Sequence, residues 1–179
     1  TLHGTIIKDE KYDIKFVLAL LNSSVLKYYY RQTTSEGGKV FAQVKIEILR
    51  QMPIKVTNEL NQIPFINVVD YLLYLHNNNS EQIFSHSTND RLASNIEEVL
   101  NMMVFELYFE EHMKQNDLDV LQFIQPKPID NLDNDTDKVE VIKNFYLWLQ
   151  TADNKVRQRI NSIDIKSPDI LSVINSATK

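Results

Sequence analysis

The sequence predicts an α+β fold, in which a small strand-and-helix subdomain precedes a mainly α-helical part. Between Val40 and Ile48 apolar and polar residues alternate, as they do in a half-buried strand. From residue 61 onward the apolar residues recur instead at helical spacing. The chain has 179 residues, of which 43% are hydrophobic, so it can bury a substantial core. We expect three parts: an α+β portion over residues 1–60, a helical continuation over 61–125 and a helical C-terminal extension over 126–179.

The first third is predicted to contain short strands around one helix. His3–Ile7 has the composition of a short strand. Asp13 is a suitable N-cap for a helix that ends near Arg31, because the apolar residues after it follow helical spacing. Val40–Ile48 is predicted to be a strand, or a strand that enters a short helix, since KIEILRQM suits both. Pro53 ends that element, and MPIKV predicts another short strand.

The remainder of the chain is predicted to be helical. Pro64 is expected at the first position of a helix over Phe65–His76, and Asn77–Ser80 is expected to be a linker. A long helix is predicted from about Asn89 to Gln115, on the spacing of its apolar residues. The later predicted elements are a break at Asn116–Asp117, a short helix over Val120–Ile124, an exposed loop over Gln125–Lys138, and helical segments over Val139–Ile163 and Pro168–Ser176.

Composition excludes several kinds of chemistry. The chain has no Cys, which excludes thiol nucleophiles and favours a reducing compartment such as the cytoplasm. Its three glycines cannot form a P-loop or a dinucleotide-binding loop. The four histidines are scattered without metal-ligand spacing, and the longest apolar run is too short to cross a membrane. We therefore predict no catalytic residue, no metal ligand and no bound cofactor in this chain, and no membrane partner.

Charge is distributed unevenly along the chain. Residues 1–56 hold nine Lys and Arg against five Asp and Glu, a balance of +4. Residues 57–179 hold ten against nineteen, a balance of −9, so the whole chain carries −5. A polyanion would therefore approach the first third and be repelled by the rest. This asymmetry indicates where a nucleic acid would bind, but it does not show that the protein binds one.

Two features of the first third suggest a binding surface. Tyr28, Tyr29 and Tyr30 cover most of a helix circumference, so at least one ring should be partly exposed, either as the rim of the core or as a stacking surface. Beside them, adjacent glycines can expose backbone N–H groups to an anion. Arg and Gln can read base edges, and Lys suits phosphates. The candidate nucleic-acid contacts are Lys27, Arg31, Gln32, Gly37, Gly38, Lys39, Gln43 and Lys45; a turn with solvated cations would look much the same.

Several stretches together resemble one family. FVLALLNSSVLKYYYR followed by SEGGKVFAQVKIEILRQMPI resembles the TaqI-like C-terminal specificity domain of adenine-N6 DNA methyltransferases. Downstream, PFINVVDYLLYL and IEEVLNMMVFELYFEEHM resemble the segments that follow in that family, so the resemblance spans about residues 5–125. One departure is that Asn101–Met102 stands where an Asp is expected near Glu106-Leu107-Tyr108.

The resemblance implies a function and partners. Such domains recognise the target in restriction–modification enzymes that join a methyltransferase, and in some cases an endonuclease, in one chain. The expected partners are double-stranded DNA and an upstream methyltransferase domain. S-adenosylmethionine, and Mg²⁺ where a nuclease is fused, would bind in the parent protein. The adenine chemistry of the family needs an Asn-Pro-Pro-Tyr-type motif, which this chain lacks. We therefore expect a recognition fragment without independent catalysis.

Two alternatives remain open. The acidic helices could form a protein-interaction module that docks onto the rest of a larger protein, with an incidental basic patch. A nuclease is a weaker alternative, because the Asp, Glu and Lys that it needs occur together by chance in a chain with 24 acidic residues.

Overall fold

The predicted α+β class is wrong, because the part of the chain that the structure describes is all-α. The computed structural model describes residues 7–34, 46–78, 83–85 and 87–177. Helices hold 66% of these residues, and only one isolated β-bridge, between Phe84 and Ser87, occurs among them. No helix within these ranges is both long and apolar enough to cross a bilayer.

Ten α-helices lie in the described ranges. In chain order they are α1 (Ile14–Asn22), α2 (Ser24–Thr33), α3 (Ile46–Leu49), α4 (Glu59–Asn77), α5 (Asn89–Tyr108), α6 (Glu110–Gln115), α7 (Asp135–Leu149), α8 (Lys155–Asn161), α9 (Ile163–Lys166) and α10 (Leu171–Ser176), with a 3₁₀ helix at Leu121–Phe123 between α6 and α7.

Within the described residues the predicted strands do not form, for reasons that can be read from their hydrogen bonds. The segment 52–56 forms no strand, because the Tyr108 hydroxyl bonds its backbone at Pro53 and Lys55 and the N–H of Ile54 donates to the carbonyl of Met52 at 2.9 Å. Ile46–Leu49 forms the short helix α3, which is the alternative that KIEILRQM allowed. Residues 3–6 and 40–45 of the other two predicted strands lie outside the described residues, and Ile7 is not in a strand.

The first predicted helix is interrupted at Ser23. Asp13 caps its start as predicted, since its side chain accepts the N–H of Lys15 at 2.7 Å. Ser23 is extended (φ −71°, ψ 155°), and its hydroxyl donates to the carbonyl of Leu20 at 2.6 Å and accepts the N–H of Leu26 at 3.3 Å. Serine competes in this way for backbone groups and favours a cap over a helix interior. One predicted helix therefore becomes α1 and α2.

Helices α4 and α5 form the centre of the fold, and α1 packs against α4. Phe16 and Phe65 meet edge to face across α1 and α4, with ring centroids 5.4 Å apart. Leu75, Ile96 and Met103 are completely buried between the helices. Burying side chains of this size stabilises the folded state by about 1.5–3 kcal/mol each. The hydrophobic cluster includes residues of all three predicted parts, and the boundaries between those parts stay a prediction.

Helix α4 begins earlier than predicted. Asn58 caps it by accepting the N–H of Asn61 at 2.8 Å, so Pro64 lies in the second turn and not at the first position. Proline leaves the carbonyl four residues before it without a helical partner. That residue, Leu60, is 75% exposed, so water can satisfy its carbonyl.

The C-terminal part is tied back to the central helices. The predicted loop over Gln125–Lys138 is only partly exposed, because Asn67 donates to the carbonyl of Pro126 at 2.9 Å and Tyr71 donates to that of Lys127 at 2.5 Å. The break at Asn116–Asp117 is confirmed; Asp117 has a positive φ of 51°. Its carboxylate pairs with Lys166 at 3.0 Å and also with Arg159.

A buried carboxylate joins α5 to the 3₁₀ helix. Glu106 is 7% exposed and accepts the N–H groups of Val120 and Leu121, the latter at 2.7 Å. Burial raises the pKa of the Glu106 carboxyl, the two N–H groups oppose this shift, and Asp119 adds to it. Because the folded state binds this proton more tightly than the unfolded state, ionisation of Glu106 costs stability.

We expect Glu106→Gln to reduce the pH dependence of stability. With a raised pKa in the folded state, the contribution of Glu106 is fully present below its ordinary pKa, near 4.5, and is lost as pH rises through the folded value. The unfolding free energy of the variant relative to the parent chain should therefore increase as pH rises from ~4 to ~7. Urea denaturation across this range measures the difference.

Glu111→Gln, at an exposed position nearby, is the matched control and should follow the parent chain at every pH. A difference between Glu106→Gln and the parent chain that does not change with pH would contradict the role of Glu106.

Candidate nucleic-acid interface

Helix α2 carries the three predicted contact residues that the structure describes. Its start is fixed from α5, because the side-chain oxygen of Asn101 accepts the N–H of Ser24 at 2.8 Å. Lys27, Arg31 and Gln32 are all exposed on this helix. Lys27 and Arg31 are one turn apart on one side, whereas Gln32 shares its side with Tyr28. The structure therefore brings the three onto one helix but not onto one face.

Lys27 lies among carboxylates. It lines two clefts, of about 250 Å³ and about 460 Å³, and Glu97 lines both. Glu98 and Asp164 also line the larger one. Three carboxylates against one lysine make this cleft unfavourable for a phosphate. Contact between Lys27 and DNA stays a prediction, in surroundings that disfavour it.

Arg31 is held by the C-terminal end of α10. Its Nη1 donates to the carbonyl of Ala177, the residue that caps α10. A cation is stabilised at a helix C-terminus, where carbonyls lack helical partners. The guanidinium has five N–H donors, so one such bond leaves others free for a nucleic acid. The bond thus orients the Arg31 side chain and leaves most of its N–H donors available.

Gln32 and two tyrosines border an apolar groove between α2 and α10. The groove has a volume of about 460 Å³, and Tyr28 and Tyr29 line its α2 side. Ile170 and Val173 line the α10 side and are 38% and 44% exposed. All three tyrosines of the run are half-buried, which confirms that at least one is partly exposed. The predicted strands on which they could pack are absent from the described residues, and Tyr28 packs on the helical core.

The remaining predicted contacts lie outside the described residues. They are Gly37, Gly38, Lys39, Gln43 and Lys45. Helix α2 ends at Thr33, directly before this segment, and α3 begins at Ile46, directly after it. Within the described ranges no three His, Asp or Glu side chains are grouped so that they could hold a metal ion.

The segments that carried the family resemblance meet at Tyr108. Its hydroxyl donates to the carbonyl of Pro53 at 2.6 Å and accepts the N–H of Lys55 at 3.3 Å. Burial raises the pKa of the Tyr108 hydroxyl, against the opposing effect of the Lys55 N–H, so it stays protonated at neutral pH. The MPI segment is therefore held in place by α5, at the edge of the groove that Pro53 and Tyr108 also line.

Sequence reasoning missed the groove and the structural role of Asn101. The signal for the groove was present at α10 and the residue before it, because Ile170 and Val173 stand three residues apart beside polar residues. In the sequence, Asn101 is only a departure from the family pattern. Its side-chain oxygen accepts the N–H of Ser24, the first residue of α2. No local pattern could reveal this contact, because the two residues are 77 positions apart.

Residues 1–54 match the family model of the TaqI-like C-terminal specificity domain. The resemblance is thereby confirmed over this range, which includes every predicted contact residue. The downstream segments that suggested the same family lie beyond the matched residues. No curated protein and no solved structure shows a significant match to the chain. The match supports a DNA-recognition module of a restriction–modification system.

We expect Tyr108→Phe to destabilise the fold by about 1 kcal/mol, because the backbone groups of Pro53 and Lys55 lose their side-chain partner. Urea denaturation measures the change. Tyr146→Phe is the matched control, since the hydroxyl of Tyr146 makes no hydrogen bond within the described part of the chain. Equal stability of the two variants would contradict this role for Tyr108.

Proposed function

We propose that this chain is the target-recognition portion of an adenine-specific DNA methyltransferase from a restriction–modification system, and that it is not catalytic by itself. The observation that carries the proposal is the match of residues 1–54 to a specificity domain. S-adenosylmethionine would bind in the methyltransferase domain, and Mg²⁺ in an endonuclease where one is fused. We place the protein in the cytoplasm, where its DNA substrate would be.

The physical role follows from the chemistry of adenine methylation. A methyltransferase must turn its target base out of the duplex, so the DNA has to be held from more than one side. The catalytic domain holds one side, and this module would hold the other. The +4 balance of residues 1–56 favours contact with phosphates there, while the −9 balance of residues 57–179 keeps the rest of the chain away from them.

Helix α2 and the segment after it are the proposed contact surface. Arg31 and Gln32 are exposed at the end of α2, and Arg31 is oriented by α10. The chain continues from there into the glycine pair with Lys39, Gln43 and Lys45. Arg and Gln are the side chains suited to base edges, and the lysines are suited to phosphates.

Binding to duplex DNA should depend steeply on salt. If about four cations contact phosphates, the slope of log affinity against log salt is near −3.6. Affinity should then fall roughly a hundredfold between ~50 and ~200 mM salt. Fluorescence anisotropy with duplexes of varied sequence measures this. Arg31→Ala should weaken binding and reduce the slope by about 0.9 if Arg31 contacts a phosphate, whereas Lys143→Ala, in the acidic half, should do neither.

Variants of the glycine segment, residues 37–45, distinguish residues that position the DNA from residues that recognise its sequence. Lys39→Ala should weaken all duplexes alike, because a phosphate contact carries no sequence information. Gln43→Ala should change the preference among duplexes, because an amide can pair with a base edge. Binding that is insensitive to salt, and to both of these substitutions, would rule out the proposed surface.

A second candidate function, docking onto the methyltransferase domain, is favoured by exposed apolar side chains before and within α4. Val56 is 67% exposed, Leu60 75% and Ile63 47%. Leu60 and Ile63 are one turn apart, so they share a face of the helix. Analytical ultracentrifugation with the upstream domain tests this role. Leu60→Ser should weaken the association, whereas Leu147→Ser, at an exposed apolar site on α7, should not.

A further inference from the structure

An aromatic pocket in the C-terminal half lies apart from the proposed DNA surface. Its volume is about 300 Å³, and helix α2 contributes nothing to its lining. Trp148 and Phe145 of α7 form one side, with ring centroids 5.4 Å apart. Tyr71 of α4 packs against Phe145, with ring centroids 5.3 Å apart. Phe123 of the 3₁₀ helix also lines the pocket. Four aromatic residues thus border a cavity at the lower limit of small-molecule sites.

The polar groups at this pocket are uncommitted. The Trp148 indole N–H and the side-chain amides of Asn144 and Gln125 make no hydrogen bond to any described residue. The Lys127 ammonium makes no ion pair there, and Gln125, Lys127 and Asn144 are all exposed. The Tyr71 hydroxyl is the exception among the lining residues, because it donates to the carbonyl of Lys127 at 2.5 Å. Free donors and acceptors around an apolar cavity are typical of a ligand site.

The charge of the pocket is opposite to that of its surroundings. No carboxylate lines it, and Lys127 supplies one positive charge. Arg159 lies nearby, with its guanidinium carbon 4.6 Å from the centre of the Phe123 ring, but it pairs with Asp117 and Asp119 and adds no net charge. The surrounding residues 57–179 carry −9. A ligand that combines a flat aromatic ring with an anionic group would therefore find both an aromatic wall and a cation at this pocket.

We propose that this pocket binds a heteroaromatic base that carries a phosphate. The ring would stack on Trp148 and Phe123, and its edge would exchange hydrogen bonds with the amides of Asn144 and Gln125. The phosphate would lie against the Lys127 ammonium. Stacking on aromatic side chains tolerates any base, because every base has a π-face. Amides can both donate to and accept from a base edge.

Two sources could supply this chemistry, a free mononucleotide or an unstacked base of single-stranded DNA. Both present the same ring and phosphate. A single-stranded oligonucleotide that binds more tightly than the mononucleotide, at equal nucleotide concentration, would identify DNA as the source. Equal or weaker binding would identify the free nucleotide.

The experiment uses the intrinsic fluorescence of the chain, since Trp148 is its single tryptophan. Titration of the 179-residue chain with deoxyadenosine monophosphate, excited at the red edge of the indole band, should quench this fluorescence saturably. Lys127→Ala should weaken binding about tenfold through loss of one charge-assisted contact. Asn144→Ala should weaken it severalfold. Lys143→Ala, whose ammonium lies over Phe84 on another side of α7, is the matched control and should bind as the parent chain does.

Ribose 5-phosphate, which has the phosphate but no aromatic ring, separates a ring pocket from a general cation patch. It should not compete at concentrations that saturate the nucleotide site. Absence of saturable quenching, equal affinity of the Lys127→Ala and Asn144→Ala variants with the parent chain, or equal binding of ribose 5-phosphate would each overturn the proposal. These outcomes concern the aromatic pocket alone and leave duplex binding by α2 to its own test.

Discussion

The hydrogen bond from the N–H of Ser24 to the side chain of Asn101 is the constraint on which the candidate interface depends. It fixes where α2 starts, because Ser23 has already left the helical conformation. Since side-chain direction on a helix follows from its starting point and axis, the bond also fixes where Lys27, Arg31 and Gln32 project. A nucleic-acid contact placed to within a fraction of an ångström needs such support from a rigid element. Here that element is α5, the centre of the fold.

The C-terminal helix supports the same surface from the other side. Arg31 donates to Ala177, and the groove beside Gln32 is closed by α10. Helix α10 is in turn anchored through Ser167, whose hydroxyl accepts the N–H of Leu171 at 3.1 Å and bonds His112 at 2.8 Å. The acidic C-terminal part is therefore not a separate appendage in the described structure. It positions residues of the basic first third, so the two charge regions depend on each other.

The helices could be predicted from the spacing of apolar residues in the sequence, but contacts between distant segments could not. Local signals predicted the N-cap at Asp13 and the start of α5 at Asn89, and the structure confirms both. The strand predicted at MPIKV was wrong, because the backbone of this segment bonds to the Tyr108 side chain, 53 and 55 positions away, and not to a neighbouring strand. Periodicity also cannot distinguish one helix from two when a serine interrupts it. The aromatic pocket was invisible for the same reason, since its walls come from α4, the 3₁₀ helix and α7.

The residues that carry the family resemblance act mostly within the protein. Ser23 caps α2, Pro53 accepts a hydrogen bond from Tyr108, and Glu106 holds the 3₁₀ helix through two backbone N–H groups. Replacing Ser23 or Glu106 by a residue without a side-chain acceptor would leave backbone N–H groups unpaired, which costs stability whatever DNA the protein binds. Residues under such a constraint identify a scaffold, while residues that read bases must differ between proteins with different targets. A resemblance built on scaffold residues therefore indicates the class of the module and does not identify the residues that would read a target sequence.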